Sequence, residues 1–345
     1  MTAVKILVIA PSWLGDLIMS QSLYKILKMK NPEAEITLYA PRFMQPIVER
    51  MPEVSHFIEN PFAHGTFDLR RRFAEGHKLK ALNFDKAYIL PNSFKSALIP
   101  FFAGVKERIA FKGESRFVVV NVMRKNKEDF PRMVERYAAL AYSLDEVKTA
   151  SDLPPIPYPL LSAKPVSEEL LTRLNLKTDR PLLALGCGAN YGPAKLWPVE
   201  YFAEICRRWI EKGGAVLGLG TSKDGPTVKA IFDLVPSPLQ QYFYDIAGKT
   251  NLTEALDVAA LCAGAVCNDS GMMHTIAALN LPQAAIFGST STGYTPPLSD
   301  KAVCIEAQTQ CHPCFKRTCR FGTYECLKSL TPDLVWKELE RLTHV

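Results

Sequence analysis

The chain of 345 residues has no apolar run approaching the roughly 18 residues needed to cross a bilayer as a helix. Its first apolar stretch, Val4 to Ala10, is only seven residues long and stops at Pro11. No small-residue cleavage site follows, so the stretch reads as a buried strand rather than a secretory signal. A cytoplasmic protein is expected. The sequence also lacks G-x-G-x-x-G after that strand, which argues against a nicotinamide dinucleotide enzyme, and it lacks a P-loop. There is no Asp-x-Asp pair to hold a divalent cation. Short-period repeats and low-complexity segments are absent. Nine cysteines are present, but most are scattered through a long chain and do not suggest a disulfide framework.

Apolar residues make up 48% and charged residues 22%, ordinary values for a globular protein, and the length suits two domains. Charge is uneven. Residues 1–160 hold 23 Lys and Arg against 17 Asp and Glu, and the remainder holds 18 of each, so the first half carries the whole net charge of +6. A field of that sign suits an anionic membrane surface, a phosphorylated substrate or nucleic acid.

Apolar strand candidates alternate with helical patterns, as in parallel βαβ units with both sheet faces covered. "VKILVIA" precedes a helix near Asp16 to Lys30; "EITLYA" precedes one around Gln45 to Met51; "KAYIL" precedes "FKSALIPFFAG". The segment 151–165 contains five prolines and reads as a linker. The pattern then restarts with "RPLLALGCG", "GAVLGLG", "QYFYDIAG", "AGAVCND" and "PQAAIFGS". The expected fold is α/β: two Rossmann-like domains with parallel sheets facing a cleft, residues 1–155 and 166–345. The final helix, 332–342, is free on sequence grounds to pack on either one.

Four strand ends carry polar residues. Asp16 opens the helix after the first strand. Capping chemistry alone favours a carboxylate there. Ligands of open α/β sheets, however, bind beyond the carboxyl ends of strands, where Asp16 is placed to take a proton from an attacking hydroxyl. "LGCGANYGPAK" sets glycines and Lys195 in one loop, as a phosphate requires. "LGLGTSKDG" offers Thr221, Ser222, Lys223 and Asp224. "NDSGMMH" puts Ser270 and Gly271 at a helix start suited to a diphosphate. Asp269, which would repel phosphate, is assigned there to sugar hydroxyls, and His274 to a hydrogen bond with phosphate.

The combination of "NDSGMMH", "GPAKLWP", "PSWLGDLIMSQSLY" and "PNSFKSALIPFFAG" resembles the ADP-heptose:lipopolysaccharide heptosyltransferases of glycosyltransferase family 9, over nearly the whole chain. The resemblance implies the GT-B architecture, with ADP-heptose on the C-terminal domain and the acceptor on the N-terminal one. It implies inverting transfer of L-glycero-D-manno-heptose, without cofactor or metal, to the first heptose of the lipopolysaccharide inner core, heptosyl-Kdo-lipid A. A different acceptor within the family stays open. By motif, Asp16 matches the general base, Lys195 the diphosphate lysine, and Asp269, Ser270, Gly271 and His274 the donor loop. Asn190, Tyr191, Asp224 and Thr250 fall where the family contacts nucleotide or donor sugar. Asn92, Ser93 and Lys95 are acceptor candidates, as are Arg70, Arg71, Arg72 and Lys112. Peripheral contact with the cytoplasmic face of the inner membrane is expected, and nucleic acid is not. The spacing Cys311-x2-Cys314-x4-Cys319-x6-Cys326 leaves two readings open, a structural metal site or reduced thiols in a basic loop on the acceptor side.

Overall fold

Twelve strands form two parallel six-stranded sheets among the residues that the computed structural model describes, 3–63 and 65–344. The chain divides into two units, Met1–Pro159 and Leu160–Val345, and the division falls in the proline-rich stretch. The first sheet contains β1 (Lys5–Ile9), β2 (Glu35–Ala40), β3 (His56–Glu59), β4 (Lys86–Ile89), β5 (Glu107–Phe111) and β6 (Val122–Arg124), in the order β3-β2-β1-β4-β5-β6. The second contains β7 (Leu182–Gly186), β8 (Ala215–Gly218), β9 (Phe243–Asp245), β10 (Cys262–Asn268), β11 (Gln283–Phe287) and β12 (Ala302–Glu306), in the order β12-β11-β10-β7-β8-β9. The two orders are the same. Each chain segment starts mid-sheet, winds to one edge, and returns past its first strand. The order therefore reverses at β1/β4 and at β7/β10, and a crevice opens at the carboxyl ends of such a strand pair.

Central strands are apolar throughout because both faces are covered: Leu7, Val8, Leu183, Ala184 and Leu185 are fully buried. The helix Leu14–Lys30 is buried on several sides and includes Ser20, Gln21 and Ser22. Those polar groups are tolerated because they are bonded. Ser20 Oγ donates to Leu17 O (2.7 Å), Gln21 Nε2 to Glu53 (2.8 Å), and Ser22 Oγ to Pro157 O (2.7 Å), which ties the proline-rich stretch to the first unit. The final helix, Pro332–Thr343, packs on the second unit against β10, β11, β12 and the helix Val199–Glu211.

Several elements differ from the sequence reading. The helix after β2 is only Gln45–Val48, preceded by a 3-10 turn at Arg42–Met44. The edge strands β3 and β12 are half-exposed; β3 mixes polarities, and β12 offers only four apolar residues before Glu306, so neither stands out as a buried strand. The helix Leu69–Lys80 buries only Arg72, Gly76 and Leu79, too narrow a stripe to give a helical period. Cys187, Cys206, Cys262 and Cys267 are buried as expected, while Cys304 is half-buried.

Candidate active site

In the second unit, the chain beyond β7 and β10 is held together by side chains. Asn268, at the end of β10, is fully buried. Its Nδ2 donates to Cys187 O (2.6 Å), and its Oδ1 accepts from the backbone N–H of Trp197 (3.2 Å). One amide thus joins the loop after β7 to the segment after Lys195. Trp197 is anchored in turn by its indole N–H, which donates to Leu330 O (2.8 Å). Between these anchors, Lys195 Nζ lies 2.5 Å from Asp269 Oδ2. The same oxygen accepts from Thr290 Oγ1 at 2.6 Å. Lys195 and Asp269, assigned to different parts of a donor, therefore meet as an ion pair in this structure.

His274 lies on the helix Gly271–Ala278 and is buried. Burial pushes its imidazole down to about 4; the Lys195 charge acts in the same direction and Asp269 opposes it. It is neutral at pH 7 and available as a hydrogen-bonding group rather than a cation. Ser270 precedes that helix in extended conformation, and its buried hydroxyl has no partner among the described residues. Free N–H groups and partial positive charge at such a helix start favour an anion.

The other predicted residues surround this pair unequally. Thr221 donates to Asp224 Oδ2 from both its backbone N–H and its hydroxyl, each at 2.8 Å. Gly188 packs so tightly on that carboxylate that a Cβ would overlap it. Asp224 therefore braces the loop after β7. Thr250 stands just before the N-cap Asn251, beyond a contact in which Gly248 N–H donates to Gly220 O (2.9 Å). Asn190 is exposed. Tyr191 donates its hydroxyl to Phe315 O (2.6 Å), with Lys195 Nζ 4.8 Å and the Arg317 guanidinium 5.3 Å from its ring centroid. Gly192 adopts φ +151°, and its missing Cβ admits Arg317 O, which accepts from Ala194 N–H (3.0 Å). The cysteine-bearing loop thus buttresses the loop of Lys195. Among the described residues no group of three or more His, Cys, Asp or Glu side chains is placed to hold a metal ion. Backbone N–H groups of Tyr324 and Phe321 pull the Cys319 thiol below its ordinary value.

The first unit has its own cavity of about 960 Å³ at the carboxyl ends of β1, β2 and β4. Asp16, Asn92, Ser93, Lys95 and Arg72 all line it, while Arg70, Arg71 and Lys112 do not. Asp16 stands in the first turn of Leu14–Lys30. Arg72 is buried, and its guanidinium donates to Phe67 O (2.5 Å), Thr66 O (2.9 Å) and Lys95 O (3.1 Å), so it shapes the wall. Lys127, Arg136 and Glu114 also line the cavity and went unnoticed in the sequence. Asn268 and Thr290 were likewise not assigned a role. Asn268 stands inside a quoted motif, but nothing around Thr290 signals its contact.

Chemically, one site offers a carboxylate beside a space large enough for a sugar, and the other offers a lysine and a helix start for a leaving phosphate. Two open parallel sheets of the same order, each with its polar residues at the reversal point, define an α/β protein of the GT-B glycosyltransferase type. The family model "Glycosyltransferase family 9 (heptosyltransferase)" matches residues 72–325. The chain belongs to that family and is a glycosyltransferase. It is 42% identical to lipooligosaccharide heptosyltransferase 2 of Haemophilus influenzae, covering 98% of this chain and 99% of that one. It is 41% identical to lipopolysaccharide heptosyltransferase 2 of Escherichia coli K12, covering 98% of each. The solved structure of E. coli ADP-heptose LPS heptosyltransferase II superposes with a TM-score of 0.87 at 40% identity, over 99% of this chain and 98% of that one.

Proposed function

We propose that this chain transfers L-glycero-D-manno-heptose from ADP-heptose to the first heptose of the lipopolysaccharide inner core. The names of its relatives support this reading, and one observation carries it to the residues. The polar groups cluster at the reversal point of each sheet, Asp16 at one and Lys195 with Asp269 at the other.

In the proposed reaction, Asp16 takes the proton of the acceptor hydroxyl as that oxygen attacks the anomeric carbon. A new C–O bond forms on the face opposite the departing group, inverting the centre. The bond from the anomeric carbon to the β-phosphate oxygen breaks, and its electron pair leaves with ADP. Lys195 and the N-terminus of Gly271–Ala278 receive that charge, as preorganised donors do best in a site closed to water. Asp269 and His274 hold donor hydroxyl and phosphate groups; Asn190, Tyr191, Asp224 and Thr250 frame the nucleotide. Asn92, Ser93 and Lys95 hold the acceptor. No metal takes part in this scheme. The chain works at the cytoplasmic face of the inner membrane, held peripherally; no helix among the described residues is long and apolar enough to cross a membrane.

The test is a transfer assay with ADP-heptose and a heptosyl-Kdo acceptor in the presence of chelator. Inverted disaccharide product at an undiminished rate supports the reading. Product only with added Mg²⁺, or only on an acceptor lacking heptose, contradicts it.

A further inference from the structure

The helices Leu69–Lys80 and Phe94–Phe102 approach so closely at Gly76 that a Cβ there would lie 2.5 Å from Phe102 Cβ. Phe73 sits beside this contact, its ring centroid 5.1 Å from that of Phe102, yet it remains half-exposed. Leu69, one turn earlier on the same face of the helix, is also exposed. Phe101 follows, 5.5 Å from Phe102 and 5.5 Å from the Arg108 guanidinium. Arg108 Nε donates to Val119 O (2.8 Å), the carbonyl that follows Phe117 and Val118 in the chain, and these two are 60% and 81% exposed. Large exposed apolar side chains therefore gather on the helix pair and on the segment that Arg108 ties to it, where single scattered ones would need no explanation.

Charge indicates what covers this strip. Residues 67–80 and 101–122 carry nine Lys and Arg against four Asp and Glu; Arg72 and Arg116 are buried, and the others leave a basic excess of three on this surface. Two of those carboxylates are already engaged, Glu75 by Lys78 (2.7 Å) and Glu107 by Lys86 (3.1 Å). A second copy of the chain would set two basic faces against each other. An anionic bilayer satisfies both halves of the surface: the apolar tips enter the acyl boundary, and the basic groups meet lipid phosphates. The strip also borders the 960 Å³ cavity, because Arg72, Lys95 and Ile99 line that cavity from the same two helices.

We propose that this strip, from Leu69 and Phe73 through Phe101 to Phe117 and Val118, docks the chain on an anionic phospholipid surface beside the cavity. A lipid-borne acceptor would then reach the cavity from the bilayer without leaving it, which rests on the acceptor reading above; the docking itself does not.

The test is co-sedimentation of the full chain with phosphatidylethanolamine–phosphatidylglycerol vesicles, with phosphatidylcholine vesicles and single-stranded RNA as comparisons. Wild type is expected to prefer the anionic vesicles. Phe117→Ser with Val118→Ser should lower partitioning about tenfold or more. Lys106→Glu, a single exposed change, should lower it about fivefold or more and serves if the double variant misfolds. ADP affinity and turnover on a water-soluble, deacylated acceptor should stay at wild-type values in both. Equal binding to neutral vesicles, no loss in either variant, or tighter binding to RNA that both variants abolish would each overturn the proposal. Loss of turnover on the soluble acceptor by wild type itself would instead strike the enzymatic reading.

Discussion

Lys195 Nζ and Asp269 Oδ2 lie 2.5 Å apart, with Thr290 donating to the same oxygen. The pair is shielded from solvent, Asp269 almost completely. Removing one member of such a pair strands the other charge. Lys195→Ala is therefore expected to destabilise the chain by about 3–5 kcal/mol, and Lys195→Ala with Asp269→Asn to recover much of that. Urea unfolding of the two variants checks it. Additive losses would show that the contact is not energetically coupled.

In the proposed mechanism the pair would split binding from turnover. With no diphosphate bound, Asp269 neutralises the lysine. Asp269→Asn should leave ADP affinity unchanged or higher, yet lower transfer by about a hundredfold if the carboxylate holds the donor sugar. Lys195→Ala should weaken ADP by roughly tenfold or more, the worth of a charged hydrogen bond. Calorimetric titration with ADP beside steady-state rates separates the two. A variant pair in which both constants fall together would remove this division of labour.

His274 makes stability depend on pH. Its imidazole is held down to about 4 by burial, against an ordinary value near 6.5. The unfolded chain then binds the proton more readily, so stability is lost as pH falls from about 6.5 toward 4. The loss is on the order of 3 kcal/mol. His274→Gln should flatten that part of the profile. An unchanged slope between those values would assign it to other groups.

Asn268 is a positioning residue. Asn268→Ala leaves Cys187 O without its donor and releases the Trp197 N–H, at a cost of about 1–3 kcal/mol for each buried group left unpaired. The same change should weaken ADP, because the loop of Lys195 loses its clamp. Wild-type ADP affinity in a destabilised Asn268→Ala chain would confine the residue to folding.

Much of this organisation is legible in the sequence because buried parallel strands are apolar runs that end abruptly in polar residues. β1, β2, β4 and β7 to β11 are legible that way, and with them Asp16, Lys195 and Asp269. β3, β5, β6 and β12 are not: β3 and β5 mix polarities, β6 has three residues, and β12 is a short run of four apolar residues before Glu306 that is only half-buried. Partnerships were also hidden. Thr290 stands 21 residues from Asp269, and nothing local marks their contact. Arg72 reads as one of three adjacent surface arginines, but it is buried and spends its donors on three carbonyls. The cysteine loop reads as a metal site or an acceptor element, and the structure sets it against the loop of Lys195 through Phe315 and Arg317, and against the segment after β11 through Ser289.

The most direct measurement is transfer from ADP-heptose to a heptosyl-Kdo acceptor by wild type and Asp16→Asn, with ADP affinity measured on both. Loss of the base should lower kcat by about a hundredfold to ten-thousandfold while ADP binds as before. Wild-type turnover in Asp16→Asn, or no heptose transfer by wild type, would contradict the central claim.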